Sequence, residues 1–237
     1  MEETPQRTVF ERPPEETPSS ERRGWLRRAP ILVAVLLVGA LVGVALALLL
    51  SVRPPGDDSA EAGFARDMMV HHAQAVEMAE ILRDNTESEE MRTLAADVAL
   101  TQQAQIGQMQ GWLAVWDLPP TGSEPAMSWM GHPTEGRMPG MASPEEIREL
   151  SEASPEEVDV RFLQLMIPHH QAALSMTEAV LERTDREEVE RLAGAIAASQ
   201  EAEIEAMQDL LRSRGAPVEG ETPTPDGDSH GDHEHQG

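Results

Sequence analysis

Hydrophobic positions fall into two regimes along the chain. Residues 29–52 read APILVAVLLVGALVGVALALLLSV without a charge, whereas beyond residue 57 apolar residues recur every three or four positions among polar ones. As a helix rising 1.5 Å per residue, the uncharged run spans roughly 36 Å, enough to cross a hydrocarbon core with modest tilt. Arg22, Arg23, Arg27 and Arg28 precede it, and Arg53, Pro54, Pro55, Gly56, Asp57 and Asp58 follow. The positive-inside rule therefore places the N-terminus in the cytoplasm and everything after the run outside. A cleaved signal peptide usually has a shorter apolar stretch and a brief leader. The length of the run and the long polar arm ahead of it predict an uncleaved, single-pass anchor in the cell membrane. Gly39 and Gly43 have the GxxxG spacing that permits a homodimer through the span.

In the second regime, apolar or small residues recur at 64, 68, 75, 78 and 82, and again at 162, 166, 173, 176 and 180. That is the spacing of one buried helix face. A second stripe runs through Met91, Val98, Ile106, Met109 and Leu113, and its counterpart through Val189, Ile196, Ile204, Met207 and Leu211. Aligned at an offset of 98 with no gap, residues 64–113 and 162–211 share 19 identical pairs in 50. An internal repeat of that quality marks a duplication.

Each copy predicts a helical hairpin. The first helices begin near Asp58 and Ser154, the latter with Pro155 at the favoured first helical position. Thr86 with Glu89, and Thr184 with Glu187, stand where capping boxes would start the second helices. Two hairpins, each with an incompletely buried stripe, are completed by packing on one another. The expected fold is all-α: an antiparallel four-helix bundle with pseudo-twofold symmetry, plus the N-terminal transmembrane helix. Pro168 lies inside the third of these helices, where it removes a backbone donor, predicts a kink and frees a carbonyl. The expected organisation is a disordered cytoplasmic arm (1–28), the anchor (29–52), a linker (53–57) and the duplicated domain (58–214). Within that domain, repeat one spans 58–117, a Met-rich connection 118–153 with a short helix from Ser143, and repeat two 154–214. The acidic tail (215–237) has the composition of a disordered segment.

Composition then narrows the chemistry. Cysteine is absent from the 237 residues, which excludes disulfides, thiolate metal sites and a cysteine nucleophile. Tyrosine is absent and methionine reaches 13, a balance suited to packed helices. The formal net charge is -25, an acidic surface that repels nucleic acid. No nucleotide-binding loop or nucleophile-elbow motif occurs.

On a helix, residues three and four apart share a face. Met68, His71, His72 and Met78 therefore line one strip, Met166, His169, His170 and Met176 line its counterpart, and Met109 and Met207 occupy matching places on the second helices. Methionine at such spacing is ordinarily core filling. Two His-His pairs at repeat-equivalent positions, each with a methionine three residues ahead, point beyond packing to metal. Thioether sulfur favours soft Cu(I), while imidazole also suits Zn(II). The strips either converge or form two equivalent sites. Met127, Met130, His132, Met138 and Met141 lie in a Pro- and Gly-broken connection that is expected to stay outside the core, as a metal-capturing arm or an apolar flap. His230, His233 and His235 add weak metal binders in the tail.

The two M-x-x-H-H-x-x-x-x-x-M segments, the second reading MIPHHQAALSM, and the MPGM stretch ahead of Phe162 resemble the bacterial domain-of-unknown-function family numbered three hundred and five. The resemblance covers about residues 57–214. It implies a ferritin-like four-helix fold in a secreted or membrane-anchored protein, and for some relatives a periplasmic copper-binding role. By that resemblance His71, His72, His169, His170 and the aligned methionines inherit a ligand role. The copies differ at Val70 against Pro168 and at Ala73 against Gln171. No carboxylate stands three residues before any of these histidines, which argues against a carboxylate-bridged di-iron centre. The leading expectation is a non-enzymatic, extracytoplasmic Cu(I)-binding protein acting in copper sequestration or transfer. A metal-free structural or interaction domain and a metal-dependent oxidase are the alternatives.

Overall fold

The computed structural model describes residues 20–51 and 54–218. The expectations for the rest of the N-terminal arm and for the tail histidines lie outside the described residues. By contact the chain divides into two units at Pro54/Pro55. The first contains α1, Ser20–Ser51, which begins ahead of the uncharged run because its Glu, Arg and Leu residues are good helix formers. Within α1, Pro30–Leu48 is long and apolar enough to cross a membrane, and every side chain over that stretch is exposed.

The second unit carries α2 (Ala60–Asn85), α3 (Glu89–Val115), a single 3-10 turn (Ser128–Met130), α4 (Pro144–Glu152), α5 (Pro155–Leu181) and α6 (Glu187–Ser213). No strand occurs among the described residues, so the chain is all-α there. Local chemistry sets the helix starts. Ser59 Oγ accepts from the Ala62 amide at 3.2 Å to cap α2. Ser143 and Glu146 form a reciprocal capping box on α4 with Pro144 at its first position. Before α5, Glu157 accepts the Ser154 amide at 3.3 Å. The helix remains continuous through Pro168.

Thr86 and Thr184 do not cap the second helices. Ser88 caps α3, its hydroxyl accepting from the Met91 amide, and Arg186 stands at the start of α6. The hydroxyls of Thr86 and Thr184 accept from the Ser88 and Arg186 amides in the turns ahead of those helices, and they also join the two hairpins. Thr86 Oγ1 donates to Asp159 at 2.6 Å, and Thr184 Oγ1 donates to Glu61 at 2.9 Å. Adding 98 to 86 gives 184, and adding 98 to 61 gives 159, so the two bonds exchange under the sequence offset. Thr86→Val is expected to lower stability by about 1–3 kcal/mol, because it strips a hydrogen bond from a buried carboxylate. Thr184→Val is expected to cost less, since water reaches the half-buried Glu61. Urea unfolding of both variants checks the order, and equal effects would contradict it.

Helix α2 packs on α3, α5 on α6, and the two hairpins meet mainly through α2 and α5. The core is split along its length. One cluster joins Met78 and Leu82 to Met91, Phe162, Met166 and Met207; the other joins Phe64, Met68, Met109 and Leu113 to Met176 and Ile196. Between them on the same helices lie buried polar side chains.

Candidate metal centre

His71 and His72 on α2, and His169 and His170 on α5, are wholly buried. The apolar stripes draw them inward: Met68 and Ala75 flank the first pair, Met166 and Ala173 the second, and all four are completely covered. The strips converge. The His71 and His169 rings, at offset-related positions, have centroids 3.8 Å apart with planes inclined by 35°, and His169 lies 6.2 Å from His170.

The methionines sort in a way the sequence left open. Met68 and Met109 share a core cluster with Met176, whereas Met166 and Met207 share the other with Met78. Each set thus combines two methionines of one hairpin with one of the other, on either side of the histidines. All six are essentially unexposed.

Three histidines are held through one ring nitrogen. His71 Nε2 lies 3.3 Å from the Pro139 carbonyl, His72 Nε2 2.7 Å from Gln105 Oε1, and His170 Nε2 2.6 Å from Glu203 Oε2. Gln105 and Glu203 are themselves offset equivalents, one neutral and one acidic. Periodicity alone does not show their place, because the apolar stripe of α3 passes through the neighbouring Ile106. The structure turns Gln105 inward and leaves Ile106 half-buried. The available signal was the identical pair Gln102 and Gln200, polar residues repeated on otherwise apolar faces.

Every buried side-chain nitrogen or oxygen that lacks a hydrogen-bond partner, among the described residues, belongs to this layer. The set is Nδ1 of His71, His72 and His170, both ring nitrogens of His169, and both amide atoms of Gln102 and Gln200. Native proteins rarely leave such atoms unmatched, and each costs about 1–3 kcal/mol. Burial pushes the His71 pKa down to about 4 and that of His72 to about 3, and it holds His169 well below the usual imidazole range. Like charges on the neighbouring rings would add to the penalty of protonation. These rings are therefore neutral at pH 7, the form that binds metal.

The connection lies over this layer. The segment lies on the helices as an apolar flap would, but it also enters the core: Met127 and Met138 are buried and Met130 and Met141 half-buried, while His132 is exposed. Polar clamps explain the docking. Asp67 accepts from the Met127 amide and from Trp129 Nε1, both at 2.8 Å, and Gln74 exchanges two hydrogen bonds with the Ala142 backbone. Burial raises the Asp67 pKa, with those two bonds opposing it. Gly140 brings the connection against α5. Its φ is +74°, and a Cβ there would lie 2.6 Å from both the Pro168 carbonyl oxygen and Ala172 Cβ. Gly140→Ala is expected to cost about 1–3 kcal/mol of backbone strain and to loosen the cover. Faster amide exchange over residues 138–142 would register that loosening; unchanged exchange would contradict it.

As a donor set, four imidazoles, thioethers, amide oxygens and one carboxylate suit a soft or borderline cation rather than Mg(II) or Ca(II). Among the described residues, no group of three or more His, Asp or Glu side chains is placed to hold a metal ion.

The family model for the Domain of unknown function (DUF305) matches residues 61–236. The chain belongs to the DUF305 family. A DUF305 protein of Streptomyces coelicolor described as secreted is 48% identical, with a TM-score of 0.65 over 68% of this chain and 97% of that one. A DUF305 fragment from Deinococcus radiodurans is 37% identical, with a TM-score of 0.57 over 65% and 96%. CopM in its Cu(II)-bound form is 29% identical, with a TM-score of 0.54 over 65% and 97%. A search among curated proteins gives no match.

Proposed function

We propose that this DUF305 protein is a membrane-anchored, extracytoplasmic copper-binding protein that takes Cu(I) into the histidine layer for sequestration or transfer, without catalysis. In this reading the four long helices form a ferritin-like bundle and the unmatched ring nitrogens at its waist are metal donors. His71, His72, His169 and His170 supply nitrogen, and Met68, Met78, Met109, Met166, Met176 and Met207 supply sulfur from either side. The observation that carries the proposal is the concentration of orphaned buried nitrogens on the paired histidines. The likeness to CopM, a copper-bound relative, supports the choice of metal. Thioether donors favour the cuprous state, and the absence of cysteine suits a site in an oxidising compartment. The apolar helix, the arginines before it and the secreted relative support the location.

The test is competition for Cu(I) by the detergent-solubilised full chain. Changing all four paired histidines to alanine is expected to abolish tight binding, whereas deleting residues 215–237 is expected to preserve it. Unchanged stoichiometry and affinity in the four-histidine variant would refute the proposal. The orphaned amides of Gln102 and Gln200 favour a second reading, a metal-free structural layer satisfied by buried water. Its signature is failure to bind or be stabilised by Cu(I), Ag(I) or Zn(II).

A further inference from the structure

The four rings are not equivalent, and the difference lies in what holds them. His71, His72 and His170 each present Nε2 to an oxygen: a backbone carbonyl, an amide oxygen and a carboxylate. The first is an obligatory acceptor and the last accepts from any N–H, so the ring must donate through Nε2. Where a neutral imidazole donates through one nitrogen, the other carries the lone pair. That other nitrogen, Nδ1, is buried and unmatched on all three rings. On His71 the carbonyl contact leaves Nδ1 as the electron-pair donor, and on His72 and His170 a neutral ring that donates through Nε2 to Gln105 or Glu203 leaves the same nitrogen free.

The 98-residue offset is broken at the next shell. His72 meets neutral Gln105, while its equivalent His170 meets Glu203, whose side chain is only 22% exposed. A carboxylate behind a ligating imidazole raises its basicity and contributes charge of the sign a cation needs; removing such a partner typically lowers affinity by about 10–100-fold. No basic side chain pairs with Glu203 among the described ion pairs; its contact there is His170.

We infer that Glu203 is a positioning residue that fixes His170 with Nδ1 facing the metal and makes the His170 side of the layer load before the His72 side, where Gln105 only orients. This rests on the metal-binding reading above and adds to it an order and a donor atom. The substitution that isolates charge is Glu203→Gln, which keeps an acceptor oxygen behind the ring. Gln105→Glu provides the reciprocal change.

The experiment is imidazole 15N NMR of the full chain in detergent micelles, first metal-free and then titrated with Ag(I), a redox-stable soft probe for the Cu(I) site. Without metal, His71, His72 and His170 are expected to show a protonated Nε2 and a bare Nδ1. On titration, His170 Nδ1 is expected to respond first in the parent chain. Glu203→Gln should retain the tautomer yet weaken Ag(I) binding by about 10–100-fold at His170. Gln105→Glu should bring His72 to equal or earlier loading, which also serves if Glu203→Gln fails to fold. A protonated Nδ1 on His170, simultaneous loading of His72 and His170 in the parent, or unchanged affinity at His170 in Glu203→Gln and at His72 in Gln105→Glu would overturn the inference while leaving metal binding intact. No response of any imidazole to Ag(I) would overturn both.

Discussion

His169→Leu is expected to make the metal-free protein more stable and its metal-bound form less so. His169 is completely buried, and neither ring nitrogen finds a partner in hydrogen-bonding geometry. Leucine fills a similar space and carries nothing to satisfy. Its removal of two orphaned nitrogens leaves no acceptor behind, unlike changes at His72 or His170, which would strand Gln105 or Glu203. The expected gain is about 1–3 kcal/mol in the absence of metal. With Cu(I) present the sign reverses. A ligand at 1,000 times its dissociation constant stabilises the native state by about 4 kcal/mol, and weakening the site forfeits much of that. Thermal unfolding with and without Cu(I) reads both effects. Lower stability without metal, together with an undiminished response to Cu(I), would show that His169 packs the core and does not ligate.

Acid should unfold the metal-free protein through the same layer. In the unfolded chain a histidine titrates near pH 6.5, whereas burial lowers His71 to about 4 and His72 to about 3, with His169 depressed as well. Between those values the unfolded state binds more protons, so stability falls as pH falls. The contribution is complete above pH 6.5 and drains away as the pH drops toward 4 and below. Each pKa unit corresponds to about 1.4 kcal/mol, so His71 and His72 together amount to several kcal/mol, and His169 adds to them in the same direction. Asp67, raised by burial, works in the opposite direction over the carboxylate range. Urea unfolding at pH 7.5 and pH 5 is expected to show a marked loss in the parent and a much smaller one when all four histidines are alanine. A parent profile flat over that interval would contradict neutral burial of the rings. Protons and metal compete for the same nitrogens, so acid should also release bound metal.

The helices were legible because period and capping agree. Ser143 and Ser154 with following prolines mark α4 and α5 correctly, and the apolar stripe at 64, 68, 75 and 78 identifies the face of α2 that is buried. The paired histidines were legible for the same reason: they ride on that face. What the sequence concealed depends on contacts between segments distant along the chain. Thr86 looks like a cap because its neighbours suit one, yet Asp159 on another helix claims its hydroxyl. Gln105 looks like a solvent residue beside Ile106 until His72 supplies a buried partner. The Pro and Gly content of the connection points to a segment outside the core and does not choose between a free arm and a docked flap. Those residues let it follow the helix surface closely, and Asp67 and Gln74 provide the anchors. The split of the methionines into two mixed sets follows from antiparallel packing of α2 on α5, which periodicity within one segment does not contain.

X-ray absorption at the copper edge of the Cu(I)-loaded full chain tests whether imidazole nitrogen and thioether sulfur bind one kind of soft ion at the waist of the helices. The expected spectrum contains both nitrogen and sulfur scatterers in the first shell, and loses them when His71, His72, His169 and His170 are replaced by alanine. A first shell of light atoms alone, or a spectrum indifferent to that replacement, would contradict the claim.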